Sequence, residues 1–315
     1  MVTRLKAFGI NQYGNAHILQ ELQLPIPKIN ANEVLIKTNA FAINAFDIAV
    51  RNGQFRKRVT LLFPLVLGSD AVGRIVKIGR NVKNYKIGDD VLAHPGQGTY
   101  AEYFKVSTDH LGLLPNCDNP YEAAGLPLSG ITAYNVLVHQ AQVQAGKTIA
   151  ILGAAGGVGS ILVQMAKALG LYVVATDVEN TRQHVLALGA DEFGGYDTEH
   201  VREKFKQMAD IVIDATNGGA GGKAGIEIIK DNGVYVSLTT LPEQYTSRPS
   251  VTFKQMLPNP KYLDSDAFFA ISLMIRSHQL QVPIGKLKPF TLAGIVAAQK
   301  LVESNSVDGK VIIKL

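Results

Sequence analysis

One cysteine, Cys117, is present in the 315-residue chain. That scarcity excludes an intrachain disulfide and any zinc site built from several cysteines, and a reducing compartment, read as cytoplasmic, is the expected setting. Cys117 lies in LLPNCDNPYE with no histidine nearby in sequence and is read as an inert thiol. No apolar run reaches the roughly 18 residues of a membrane-spanning helix, so no membrane association is expected. The opening MVTRLKAFGINQYGNAH lacks the apolar stretch and small-residue site of a secretory signal. A concentrated basic stripe is missing as well. The net charge is +5 and the densest cluster is the short FRKR at 55–58, so nucleic acid is not an expected partner. The mild basicity suits attraction of an anionic dinucleotide instead.

What is present is enough apolar material, 47% of the chain, for a sizeable core, and a length that favours two domains. The first hundred or so residues read as β-rich. VLIKTNAFAI (34–43), AVGRIVKIG (71–79), YKIGDDVLAH (85–94) and TYAEYFKVS (99–107) are β-branched or aromatic runs broken by Gly and Asp, which predicts a compact, mostly antiparallel domain. The texture then changes. From about Ser129 the chain reads as helical, and KTIAILG (147–153) follows as a buried strand. SILVQMAKALG (160–170) and NTRQHVLALGA (180–190) read as helices ending at Gly170 and Gly189. LYVVAT (171–176), ADIVIDAT (209–216) and GVYVSLT (233–239) read as strands. Such alternation means βαβ units and a parallel sheet. Helices are predicted over 264–280 and over 291–304, the latter with Thr291 as N-cap, and GKVIIKL (309–315) is a closing strand. The parallel block is therefore read as inserted between two parts of the β-rich domain.

The sharpest local motif is AILGAAGGVGS, residues 150–160. Ala154, Gly156 and Gly159 occupy the G-x-G-x-x-G frame after a predicted strand and before a predicted helix. Glycine allows the tight turn and the close approach of a pyrophosphate. The backbone at Ala155, Gly156, Gly157 and Val158 is then placed to meet its charge at a helix start. The end of the next strand, VVATDVENTR (173–182), bears on the choice of dinucleotide. Asp177 lies where an acid would bind both ribose hydroxyls of NAD. Thr176 is one residue earlier and Arg182 is available for a 2′-phosphate, so both cofactors remain open on the residues alone.

Several segments together resemble the quinone oxidoreductase branch of the medium-chain dehydrogenase/reductase family. They are INAFDIAVRNG (43–53), FPLVLGSDAVGRIVKIGRNV (63–82), IGDDV (87–91), AAGLPLSGITAYN (123–135), GAAGGVG (153–159), LGADE (188–192) and DGKVIIKL (308–315). The resemblance implies an α/β fold: a Rossmann doubly wound parallel sheet at 124–262 and a GroES-like catalytic domain at 1–123 and 263–315, with the active site in a cleft between them. It implies a homodimer that uses NADPH, with NADH as the alternative, to reduce a small-molecule electron acceptor, a quinone or an α,β-unsaturated carbonyl compound.

Zinc-dependent relatives carry a cysteine ligand at Asn44 and a His-Glu pair at Ser69-Asp70. Amide and hydroxyl are not ordinary zinc ligands, so no metal is expected there. The resemblance puts Asn44 beside the nicotinamide as the polar contact for the reacting group, Thr132 near the same end and Tyr196 on the adenosine phosphate side. Asp47 and Arg51 are read as a structural hydrogen bond or ion pair, and Asp70 as structural. Thr216, Asn217, Leu238 and Thr239 fall at strand ends, the edge where such sheets bind ligands. One departure is Ile48-Ala49-Val50, where several quinone reductases have an aromatic residue; it implies a differently shaped pocket. His94, in HPGQG, is read chiefly as an exposed loop residue. The rival readings are a medium-chain reductase of another carbonyl or acyl substrate and a nucleotide-binding protein without turnover.

Overall fold

The computed structural model describes residues 4–115, 119–257, 259–304, 307 and 309–315; Cys117 lies outside them. The chain forms two units. Unit 1 comprises Met1–Leu128, Leu263–Arg276 and Val282–Leu315; unit 2 comprises Ser129–Tyr262 and Ser277–Gln281. No helix among the described residues is long and apolar enough to cross a membrane.

Unit 1 opens with β1 (Arg4–Ile10), β2 (Gln20–Pro25), β3 (Glu33–Ala42), β4 (Leu65–Val66), β5 (Ala71–Ile78), β6 (Asp90–Ala93), β7 (Tyr103–Ser107) and β8 (Leu111–Leu113). Unit 2 contributes β9 (Thr148–Leu152), β10 (Tyr172–Asp177), β11 (Glu192–Gly195), β12 (Ala209–Asp214), β13 (Ile229–Ser237) and β14 (Thr252–Gln255). The chain then returns to unit 1 for β15 (Ile284–Pro289) and β16 (Lys310–Lys314).

The larger sheet of unit 1 runs β15-β16-β3-β5-β6-β8, with β7 also paired to β3. Its pairs are antiparallel except β15 with β16. The closing strand thus docks Ile312 and Ile313 against Ala42 and Phe41 of β3, in an unbroken apolar run, Val311–Ile313, that is buried on both faces. Phe41 stacks on Tyr100 at 4.5 Å, and Phe290 meets Phe8 edge-on at 4.9 Å, filling the core beneath the strands. Thr291 caps the helix Leu292–Glu303, its side chain accepting from the Gly294 N–H at 3.1 Å.

The sheet of unit 2 is parallel throughout, in the order β11-β10-β9-β12-β13-β14. Numbered from β9, this is the 3-2-1-4-5-6 order of a doubly wound dinucleotide fold, with the strand order reversing beside β9. Ile149 to Leu152 are all buried because helices cover both faces of a central parallel strand. The helix Gly159–Ala168 closes at Gly170, whose φ of +77° is the left-handed cap that glycine adopts freely.

Two departures from the sequence pattern stand out. The helix expected over 180–190 is divided into a 3₁₀ turn, Glu179–Thr181, and a shorter helix, Arg182–Ala187. The helical stretch after Ser129 becomes a π-helical turn over Asn135–Gln140. The short β11 and β14, EFGG and TFKQ, escape the apolar pattern because they are edge strands carrying glycine or polar residues, β14 largely uncovered and β11 buried from Phe193 to Gly195.

Candidate functional site

Unit 2 gathers most of the expected cofactor residues at the carboxyl edge of its sheet. Leaving β9, the Gly153 and Ala154 N–H groups donate to the Thr176 carbonyl at 2.9 and 3.1 Å, which pins the loop to the end of β10. A Cβ at Gly159 would lie 2.0 Å from the Gly153 carbonyl oxygen, so only glycine lets the helix start this close to the strand. Gly156 and Gly157 are exposed, and among the described residues no hydrogen bond satisfies the N–H of Gly157 or Val158. Two open donors at the start of a helix, at the point where the strand order reverses, form a fitting cradle for a dinucleotide pyrophosphate.

The neighbouring strand ends complete this edge. Thr216 accepts from the Gly221 N–H through its hydroxyl at 2.8 Å, and that hydroxyl donates to buried Asp214. The Thr239 hydroxyl donates to the Thr216 carbonyl at 3.4 Å, bringing the ends of β12 and β13 together; Leu238 is half-buried between them and Asn217 is exposed. Tyr196, 55% exposed after β11, donates its N–H to the Asp177 carbonyl at 3.0 Å. Thr132 sits half-buried on the helix Pro127–Tyr134.

The residues expected to choose between cofactors behave differently from the sequence reading. The Asp177 carboxylate turns back onto the backbone, accepting from Ala155 N–H and Val178 N–H at 2.8 Å each, rather than standing open for a ribose. Arg182 lies across Phe193 and is gripped by Glu179 and Glu199 at 2.5 Å each. Those two carboxylates hold its charge more firmly, so it is not the unengaged cation assumed for a 2′-phosphate. Thr176 is buried at 3% exposure.

Unit 1 holds a second polar cluster, around Asn44. Asn44 ends the loop after β3, where its N–H donates to Asp47 at 3.0 Å and starts the helix Ala45–Arg51. Its amide nitrogen donates to Asp70 at 2.9 Å and to Ser69 at 3.3 Å, while its amide oxygen accepts from the Lys310 ammonium at 2.9 Å. Both amide hydrogens are therefore spent and one oxygen lone pair remains. Asp70 also takes the Leu128 N–H at 3.0 Å. All four side chains are buried. Burial pushes the Asp70 pKa up, opposed by Lys310, and pushes the Lys310 pKa down, opposed by Asp70 and Asp47. Asp47 rises to about 7, first from burial and then from the nearby Asp70 charge.

Asp47 and Arg51 are not partners of each other. Asp47 accepts from Tyr100 at 3.0 Å, whereas Arg51, fully buried, bonds Gln299, Glu303, Asn52 and the Gly14 carbonyl. At i and i+4 they could meet, but Asp47 is taken by the Asn44 N–H and Tyr100, and Arg51 by groups on the helix Leu292–Glu303.

Comparison with known proteins places the chain in a family. The alcohol dehydrogenase GroES-like domain family matches residues 30–145, and the zinc-binding dehydrogenase family matches residues 157–264. A chloroplastic NADPH-dependent alkenal/one oxidoreductase of Arabidopsis thaliana is 33% identical, covering 98% of this chain and 79% of that protein. A 2-methylene-furan-3-one reductase of Solanum lycopersicum is 32% identical over 99% of this chain and 79% of its own length. The structure of a quinone oxidoreductase from Coxiella burnetii superposes with a TM-score of 0.86 at 27% identity, with 99% of each chain covered. The chain belongs to the quinone oxidoreductase-like branch of the medium-chain dehydrogenase/reductase family.

Zinc-dependent members of this family invite a fit test at Asn44, Ser69 and Asp70. The cluster offers an amide, a hydroxyl and one carboxylate, with the Lys310 Nζ donating into its centre. A dication does not fit beside a buried ammonium in a set with neither thiolate nor imidazole. Two further features escaped the sequence reading. Lys310 sat unremarked in the closing strand DGKVIIKL, where a lysine followed by apolar alternation reads as an ordinary strand residue. His94 is not an exposed loop histidine: it is half-buried and bonded through Nδ1 to Asp264 at 3.1 Å, and no local pattern joins it to a residue so distant in sequence.

Proposed function

We propose that this protein is a zinc-independent reductase that transfers hydride from NADPH to an electron-poor acceptor, a quinone or an α,β-unsaturated carbonyl compound. The observation that carries the reading is the open glycine loop at the switch point of the parallel sheet, with Gly157 and Val158 N–H groups unpaired. The relatives named for NADPH-dependent alkenal/one reduction and for quinone reduction supply the choice of cofactor and acceptor. A homodimer in a reducing, cytoplasmic setting remains part of the proposal, supported by the family resemblance and the single cysteine.

When bound, NADPH supplies a hydride equivalent at its nicotinamide. The residues supply binding and orientation. Gly156, Gly157 and Val158 would face the pyrophosphate, with Ala155 held in place by Asp177. Thr176, Asp177, Arg182 and Tyr196 would flank the adenosine end. Asn217, Leu238 and Thr239 would line the strand ends, and Thr132 would serve the nicotinamide end. The hydrogen bonds around Asn44 favour a positioning part over the polar contact that the resemblance implies. With both amide hydrogens committed, it is better placed to hold Asp70, Ser69 and Lys310 in register than to donate to developing charge on the acceptor. With an enone, that hydride equivalent would be supplied to the electron-poor β-carbon, and solvent would supply the proton at the α-carbon. Water exclusion and positioning are the protein's share of the rate.

The test is steady-state oxidation of NADPH and NADH in chelator-treated buffer with a panel of enones and quinones. Acceptor-dependent oxidation that survives chelation and favours NADPH is expected. Tight cofactor binding with no turnover on any acceptor would instead support a nucleotide-binding protein.

A further inference from the structure

A cluster outside both groups of residues has the donor set of a metal site. His94 follows β6, His110 ends the 3₁₀ turn Thr108–His110, and Asp264 opens the helix Asp264–Arg276. One oxygen of Asp264, Oδ2, lies 3.1 Å from His94 Nδ1 and 2.6 Å from His110 Nδ1. All three ligand atoms fall within 4.8 Å of one another. We propose that His94, His110 and Asp264 bind one late divalent transition-metal ion, of the zinc type, on the surface of unit 1.

Two imidazole nitrogens and one carboxylate oxygen are ligands that suit zinc and its neighbours in the first transition row. Bonds of about 2.0–2.1 Å in a tetrahedral shell put ligand atoms about 3.3 Å apart; the Asp264–His94 pair at 3.1 Å is already close to that, and the Asp264–His110 pair at 2.6 Å opens by a turn of the exposed His110 side chain. The exposure of the side chains runs from 11% for Asp264 through 20% for His94 to 51% for His110, a pocket closed on one side and open to water on the other. That leaves room for solvent to complete the shell. Without an ion, both imidazoles must carry a proton on Nδ1 to share a single oxygen; an ion replaces those two protons. The two histidines are already tied together, since the His94 N–H donates to the His110 carbonyl at 3.0 Å.

The site also has a structural consequence. Helix Asp264–Arg276 belongs to the part of the chain that returns to unit 1, and it packs on β8. There Phe268 fills the space above Gly112, where a Cβ would come within 2.5 Å of its side chain, and the Ser272 hydroxyl donates to the Leu113 carbonyl at 2.9 Å. An ion on Asp264 would staple the first turn of this helix to β6 and the turn before β8. This site shares no residue with the Asn44, Ser69 and Asp70 cluster, although the His94 loop bonds Ser69 through Gly96, and it does not depend on the cofactor reading.

The experiment uses tag-free, chelator-treated full-length protein. Zinc binding is measured by calorimetry, and cobalt(II) binding by its visible absorbance. One saturable equivalent per chain is expected, with the cobalt bands of a low-coordinate nitrogen and oxygen shell. His110→Gln and Asp264→Asn should each weaken zinc by more than the roughly 10–100-fold that an outer partner of a ligand is worth. Saturating zinc should raise the Tm of the wild type, through mass action on the native state, and leave that of His110→Gln unchanged. If one variant fails to fold, the titration of the other decides. Absence of a saturable equivalent, or equal affinity in the wild type and a folded variant, overturns the proposal and leaves the three residues as a carboxylate clamped by two histidines.

Discussion

The glycine loop after β9 and the Asn44 cluster occupy comparable places in the argument but are built in opposite ways. The loop works through its backbone. Its decisive residues, Gly153 to Gly159, are contiguous, and its open groups are N–H donors that any sequence of the right shape would present. The Asn44 cluster works through side chains drawn from far apart, with Lys310 reaching Asn44 across 266 residues of chain. The first kind of site is fixed by sterics, the second by charge and hydrogen bonding in a buried space. Their responses to substitution should differ accordingly.

The largest effect is expected at Lys310. In Lys310→Met, Asn44 loses a charged donor at 2.9 Å and buried Asp70 loses a nearby cation, a loss expected to cost about 1.5–3 kcal/mol. Urea unfolding reads this directly. A loss of about 1 kcal/mol would mean that only a neutral hydrogen bond to Asn44 is removed, and the cluster would no longer count as electrostatic.

Gly159→Ala comes next. Its Cβ would meet the Gly153 carbonyl oxygen at 2.0 Å, an overpacking expected to cost about 1–3 kcal/mol and to distort the loop that faces the pyrophosphate. NADPH affinity should fall by about tenfold or more, as fluorescence titration would show. Gly156→Ala is the control for stability: its Cβ has only the Gly153 oxygen near, at 3.3 Å, so unfolding should change far less, even though that Cβ would crowd the pyrophosphate. Equal losses of stability for the two would break the steric account of the loop.

Arg182→Leu sharpens the same comparison from the adenosine side. Because Glu179 and Glu199 already hold the guanidinium at a partly exposed position, the ratio of kcat/KM for NADPH over NADH should change by less than about fivefold, equivalent to about 1 kcal/mol at most. A fall of two orders of magnitude confined to NADPH would return Arg182 to the phosphate-reading part that the sequence suggested.

A pH titration probes the Asn44 side of the comparison. With Asp47 raised to about 7, the native state retains a proton that the unfolded chain releases near the ordinary carboxylate value. Stability contributed by the neutral carboxyl is therefore present at low pH and declines as pH rises through that window, by at most about 1.4 kcal/mol per pH unit for one proton. Asp47→Asn should flatten the slope between about pH 4 and 7, leaving the part due to Asp70, which is raised in the same direction. An unchanged slope in urea titrations at several pH values would remove Asp47 from the account.

The contrast between the two regions also explains what was legible in the sequence. Alternation of apolar runs with glycine-closed helices announced β9, β10, β12 and β13, and the frame at Ala154, Gly156 and Gly159 announced the loop, because those signals are local. Edge strands β11 and β14 were hidden since an edge needs no continuous apolar pattern. Asp177 and Arg182 were placed correctly along the chain, yet their partners, Ala155, Glu179 and Glu199, are chosen by tertiary geometry. Lys310, His110 and Asp264 were missed for the same reason. A lysine in a closing strand and an aspartate opening a helix each have an ordinary local explanation, and only the fold brings them to Asn44 and to His94.

The central claim is direct hydride transfer from a nicotinamide held by the glycine loop. Reduction of a simple enone with NADPH deuterated at the transferred position of C4, with the product examined by NMR, tests it most directly. The account predicts deuterium at the β-carbon of the saturated product and solvent hydrogen at the α-carbon. A product without deuterium at the β-carbon would contradict it.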